Sequence, residues 1–98
     1  MSFAIEFSQD AERHLRALPA HDAGVLLDEI AQQLTHQPNV ATRHRKLLRP
    51  TPLATWELRV GDYRVFYNVA EDPAVVVVIA VGRKEHNKLF IDGKEYTL

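Results

Sequence analysis

The sequence predicts an α+β fold in the order β-α-α-β-β-β, with an αα-hairpin packed on one face of a mostly antiparallel sheet. Three observations carry this reading. Two apolar stripes of helical period precede Pro38, strictly alternating segments flank Gly61-Asp62, and a valine-rich run starts at Ala74. With 98 residues the chain reads as one domain over 1–98. A domain of that size buries roughly 60 to 70% of its unfolded surface, enough for a core without staples.

Phe3, Ile5 and Phe7 alternate with Ala4 and Glu6, which predicts a short strand. Ser8 is placed to cap a first helix, with Asp10 and Glu12 in its first turn and Ala11, Leu15 and Leu18 as its apolar stripe. Pro19 separates this from a second helix, whose Ala23, Leu26, Leu27, Ile30, Ala31 and Leu34 recur at helical spacing until His36-Gln37-Pro38. From Asn39 to Pro52 there is no clear period. That basic segment, with Arg43, His44, Arg45, Lys46 and Arg49, predicts a loop or a short irregular strand.

The hairpin from Trp56 to Val69 is the most informative stretch. Gly at the first turn position fits a type II′ turn, so Val60 lies opposite Tyr63 and the register follows by counting. Val60/Tyr63, Leu58/Val65 and Trp56/Tyr67 form an apolar core face; Arg59/Arg64 and Glu57/Phe66 form the other. Directly opposed like charges cost stability, so the arginine pair is expected to hold something anionic. A turn over 70–73 pairing Val69 with Ala74 would set Arg64 opposite Ile79 and bring Val81 and Arg83 onto the same face. Ala74 to Val81 reads as a central strand covered on both faces and ended by Gly82, and Leu89 to Leu98 as a terminal hairpin around Asp92-Gly93.

The chain has no cysteine, which removes disulfide and thiolate chemistry. The start of the sequence lacks the pattern of a signal peptide, and no run approaches the ~18 apolar residues of a membrane span. The expectation is a soluble, cytoplasmic protein without a membrane partner. Net charge is −1, but residues 1 to 42 carry two basic and six acidic groups, against ten and seven in residues 43 to 98. The C-terminal half is the anion-facing half.

Arg59, Arg64 and Arg83 on rigid strands, with Lys84 beside them, provide the fixed bidentate forks that phosphate recognition uses. Arg43, Arg45, Lys46 and Arg49 of the basic segment, together with Lys88, are candidates for gripping a nucleic-acid backbone. Such a surface can promote RNA cleavage by orienting a 2′-hydroxyl for in-line attack and neutralising the pentavalent phosphate. His86, Glu85, Lys84, Lys88 and His44 are the candidate general bases. The alternative for the arginines is structural: ion pairs with Glu57, Asp62 or a carboxylate of the tail. The five histidines show no metal-ligand spacing, and neither a Gly-rich phosphate loop nor a nucleophile elbow is present, so no metal or cofactor is expected.

The chain resembles the RelE/ParE superfamily of toxin–antitoxin toxins. The resemblance runs over nearly the whole length: the opening strand, Leu18-Pro19 between the helices, Lys46-Leu47-Leu48, then Leu58-Arg-Val-Gly-Asp-Tyr-Arg-Val-Phe-Tyr67 and Val-Ile-Ala-Val-Gly82-Arg-Lys. It implies neutralisation by a small antitoxin that wraps the toxin and, for the RelE branch, ribosome-dependent cleavage of messenger RNA without metal. By position the sheet arginine is Arg64, and the residue two beyond the glycine, usually arginine, is Lys84. A tyrosine common a few residues further on has no counterpart among Lys88, Leu89 and Phe90, and Tyr96 lies further along. A ParE-like inhibitor of DNA gyrase and a fold relative that only binds its partner are the alternative expectations.

Overall fold

The structure is a computed structural model that describes residues 2–98. The elements are β1 (Ala4–Phe7), α1 (Gln9–Arg16), α2 (Ala20–Leu34), β2 (Arg45–Leu47), β3 (Trp56–Val60), β4 (Tyr63–Glu71), β5 (Ala74–Glu85), β6 (Lys88–Ile91) and β7 (Lys94–Tyr96). The strands make one sheet in the order β2-β3-β4-β5-β6-β7, all antiparallel, with β1 joining β5 in parallel. The α+β class and the helical pair on one face are as the sequence predicts. Part of the basic segment is a strand, β2, paired with β3.

Ser8 caps α1: its Oγ accepts from the Ala11 N–H at 3.0 Å. The same hydroxyl donates to the Ile79 carbonyl at 2.7 Å, which fixes the helix to the sheet. That edge of β5 is shared, with β1 on Val75–Val78 and β6 on Arg83–Glu85. Between the two, α1 takes over. Besides the Ser8 bond, the Val81 N–H donates to Nδ1 of the buried His14 at 3.2 Å.

The main core lies between the helices and the predicted apolar face of the hairpin. Ala11, Leu26, Ile30 and Leu34 pack with the buried Leu58, Val65, Tyr67, Val76 and Val78. Each fully buried large aliphatic contributes about 1.5 to 3 kcal/mol relative to exposure, so this face dominates stability. The Tyr67 hydroxyl donates to the Pro38 carbonyl at 2.7 Å, and burial raises its pKa. Leu27 and Ala31, expected on the apolar stripe of the second helix, face solvent, because Leu26, Ile30 and Leu34 alone fill the contact with the sheet.

The opposite face carries a second, smaller core of Ala54, Phe66, Ala80 and Leu89, flanked by Leu48, Leu53 and Tyr96. The β5 run is thus covered on both faces, as its unbroken apolar sequence suggests. Two expectations about β5 are corrected. The strand does not end at Gly82 but continues to Glu85, because the missing Cβ there lets the Phe90 carbonyl approach: a Cβ would stand 2.8 Å from it. The β4–β5 register also differs. The Asp72-Pro73 turn pairs Glu71 with Ala74, and a bulge after Phe66 slides the ladder by one more residue, so Arg64 faces Gly82 instead of Ile79. A one-residue slip reverses faces.

Candidate functional site: a basic cleft on the sheet

The hairpin register matches the count made from sequence, with Arg59 paired to Arg64 and Glu57 to Phe66. Gly61 takes φ +58 at the first turn position. Directly across the sheet, Lys46 pairs with Glu57 and Gly82 with Arg64, so Lys46, Glu57, Arg59, Arg64 and Lys84 share one face. They line an open cleft of about 540 Å³, joined by His86 and Asn87 of the β5–β6 turn. Leu48, Asp62 and Leu98 complete its wall.

Glu57 lies at the floor with its side chain 5% exposed. Its Oε2 accepts from Nε of Arg59 at 3.3 Å, and its Oε1 is 4.0 Å from Nε of Arg64. The structural alternative raised by the sequence is therefore present in part: the opposed arginines share a carboxylate. Arg64 folds back over the turn, and its Nη1 donates to the Gly61 and Tyr63 carbonyls at 2.8 Å each. Only 15% of its side chain is exposed, whereas Arg59 is 46% exposed and stands at the mouth. The Lys84 N–H donates to the Asp62 carbonyl at 2.8 Å, which pins the strand beside the turn. Four cations against Glu57 and Asp62 make the cleft positive in a chain whose net charge is −1.

The bulge places Arg83 elsewhere. It pairs with Tyr63 on the helix-side face, with its guanidinium 5.6 Å from the Tyr63 ring centroid. The Tyr63 hydroxyl donates to Asp22 at 2.6 Å, and that bond raises the tyrosine's pKa. Arg45 is also outside the cleft. It points to the helix-side face, 9% exposed, and its guanidinium donates to the Val40 and Gln33 carbonyls at 3.0 and 2.6 Å. It organises the loop after α2.

Arg43 lines an adjoining groove that reaches the cleft through the shared Lys46 and Arg59. Arg49 is exposed on the loop after β2 and is not among the residues lining the cleft. Lys88 pairs with Glu85 and projects from the face opposite Lys84. Tyr96 lies opposite Leu89, on the sheet face that carries Lys84, and packs against the small core; it is not among the residues lining the cleft. Among the described residues no three His, Asp or Glu side chains converge as a metal-ligand set, and no helix is long and apolar enough to cross a membrane.

The sequence names Glu57 as one possible ion-pair partner of the arginines, and the structure shows it at the floor; the sequence sets His14 on the helical hairpin without the bond to β5. Glu57 could be found from the alternation that sets it two residues before Arg59, on the face that also carries Arg64. His14 left no such signal, because its partner is a main-chain N–H sixty-seven residues away.

Comparison with solved structures finds the same fold. The toxin–antitoxin complex RelBE2 from Mycobacterium tuberculosis aligns with a TM-score of 0.74 at 25% identity, over 86% of this chain and 93% of that one. The isolated Escherichia coli RelE toxin aligns with a TM-score of 0.68 at 25% identity, over 87% of each chain. The archaeal RelE–RelB complex from Pyrococcus horikoshii gives 0.69 at 22% identity, over 88% of this chain and 99% of that one. No curated protein matches the chain. Residues 5–87 match the family described as the ParE toxin of the type II toxin–antitoxin system, parDE. The chain belongs to that family, within the RelE/ParE superfamily of type II toxins.

Proposed function

We propose that this toxin cleaves messenger RNA on the ribosome and is held inactive by a cognate antitoxin. The observation that carries the reading is the convergence of Lys46, Arg59, Arg64 and Lys84 on one open cleft. Fixed cations at that density suit an RNA backbone, and they offset the weak overall charge by concentrating it. In the reaction a 2′-oxygen attacks the adjacent phosphorus while the bond from phosphorus to the 5′-oxygen breaks. A base takes the 2′-hydroxyl proton, and the leaving oxygen acquires one. Arg59, Arg64 and Lys84 would neutralise the charge that develops on the phosphate, and His86, at the cleft wall, is the candidate for proton transfer. The likeness to RelE toxins, two of them in complexes with RelB, supports both the activity and the antitoxin partner.

The family match itself favours a second reading, a ParE-like inhibitor of DNA gyrase. Controlled expression in a bacterium lacking the antitoxin separates the two, with growth followed while messenger ends are mapped by primer extension. Arrest with new cuts inside translated codons is the expected result. Arrest with DNA damage and intact messengers would transfer the reading to gyrase, and undisturbed growth would leave a binding module.

A further inference from the structure

We propose that Glu57 is a positioning residue of the cleft: its carboxylate holds the guanidinium groups of Arg59 and Arg64 side by side as one phosphate grip, while its charge weakens the attraction of the cleft for RNA. The inference rests on the reading of the cleft as the phosphate site. Arg59 and Arg64 are direct cross-strand partners, an arrangement that like charges resist. Glu57 is the buried acid beneath them, one oxygen toward each Nε. With one oxygen hydrogen-bonded to Arg59 and the other 4.0 Å from Nε of Arg64, the carboxylate is set between the two guanidinium groups and orients them.

The contacts also define what remains for a ligand. Glu57 accepts a hydrogen bond from Nε of Arg59, and its other oxygen lies 4.0 Å from Nε of Arg64, an ion-pair contact that leaves this buried nitrogen without a hydrogen bond; Arg64 spends Nη1 on the turn carbonyls. The outer nitrogens of Arg59 and Nη2 of Arg64 make no hydrogen bond to protein among the described residues, which leaves donors from both strands for a phosphate. Of the six charged residues other than histidine at the cleft, Glu57 and Asp62 are the acids, so the net is +2. Neutralising Glu57 raises it to +3. Binding and chemistry should therefore respond in opposite directions: stronger attraction for RNA, poorer alignment for cleavage. A residue that only filled space would lower both together or neither.

The test measures the affinity of the purified chain for a labelled single-stranded RNA oligonucleotide across a salt series, alongside messenger cleavage on controlled expression. Glu57→Gln is expected to bind several-fold tighter at low salt. Its log affinity should fall more steeply with log salt, by about 0.7 per added phosphate contact, while cleavage drops about tenfold or more. Glu57→Asp keeps the charge but loses the reach. It should bind like the parent and still cleave poorly, and it carries the test alone if the Gln variant does not fold. Parent-like cleavage by Glu57→Asp overturns the inference, as does a Gln variant that binds no tighter than the parent. Failure of the parent to bind RNA, or undiminished binding by Lys84→Ala, overturns the cleft reading and this inference with it. In the first two results the parent still binds through Lys84, which distinguishes them.

Discussion

Arg64 stands directly across from Gly82 in the β4–β5 ladder, so Lys84, two residues on, shares its face while the adjacent Arg83 points to the helices. Two neighbouring cations are thereby assigned to opposite sides of one sheet. Lys84→Ala is expected to abolish growth arrest and reduce messenger cleavage about a hundredfold, the scale of removing one fixed charge from a developing oxyanion. Arg83→Ala should leave arrest intact and cost about 0.5 to 1 kcal/mol of stability through its lost contact with Tyr63. Arrest that depends on Arg83 and ignores Lys84 would contradict the observed register. Side-by-side induction of the two variants, with urea titration of each, makes the comparison.

Gly82 has its own consequence. A Cβ at this position would lie 2.8 Å from the Phe90 carbonyl oxygen and 2.9 Å from the Ile91 side chain. Gly82→Ala should destabilise the fold by about 1 to 3 kcal/mol, because main chain on β6 must move. An unchanged urea midpoint would show that β6 yields freely.

His14 makes stability depend on pH. Burial lowers its pKa below the usual 6.5, and the neutral ring is the form whose Nδ1 accepts from Val81. The unfolded chain therefore binds the proton first on acidification. The His14 contribution is complete above about pH 6.5 and is lost as pH falls from there through the depressed folded value. Asp10 and Asp92, which act in the opposite sense, soften the loss, and Arg13 adds to it. Urea midpoints of the parent and His14→Gln, compared from pH 8 to pH 5, should converge on acidification. Parallel curves would remove His14 from the account.

Ser8 joins two tasks in one hydroxyl, capping α1 and bonding the Ile79 carbonyl. Ser8→Ala should cost about 1 to 2 kcal/mol, toward the upper end of the cap scale because the second bond goes with it. Ser8→Asp keeps the cap acceptor but cannot donate to Ile79. In urea unfolding it should recover only part of the loss; full recovery would mean the Ile79 bond contributes nothing.

The hairpin and its two faces were readable because register there is local. A two-residue turn and the alternation of side chains settle Arg59 opposite Arg64 without reference to any other part of the chain. The cap at Ser8, the helix over Ala20–Leu34 and the turn at Asp92-Gly93 were readable for the same reason. Arg83 is expected on the cleft face only if Val69 pairs with Ala74, and Arg45 is expected to grip nucleic acid as part of the basic segment. Arg83 was reversed by the bulge after Phe66, and Arg45 lies one residue from Lys46 on the wrong side of a strand.

The sequence by itself determined the class of fold, the hairpin register and the core of the cleft, Arg59 and Arg64 on the face opposite the hydrophobic layer. Those features depend on periodicity and on turns of two residues, where neighbours in the chain are neighbours in space. Only the tertiary structure decided that Lys84 and Lys46 complete the cleft, that Arg83 and Arg45 leave it, and that His14 closes an edge of β5. Each depends on how separate elements meet, and a single bulge is enough to exchange the faces of a strand.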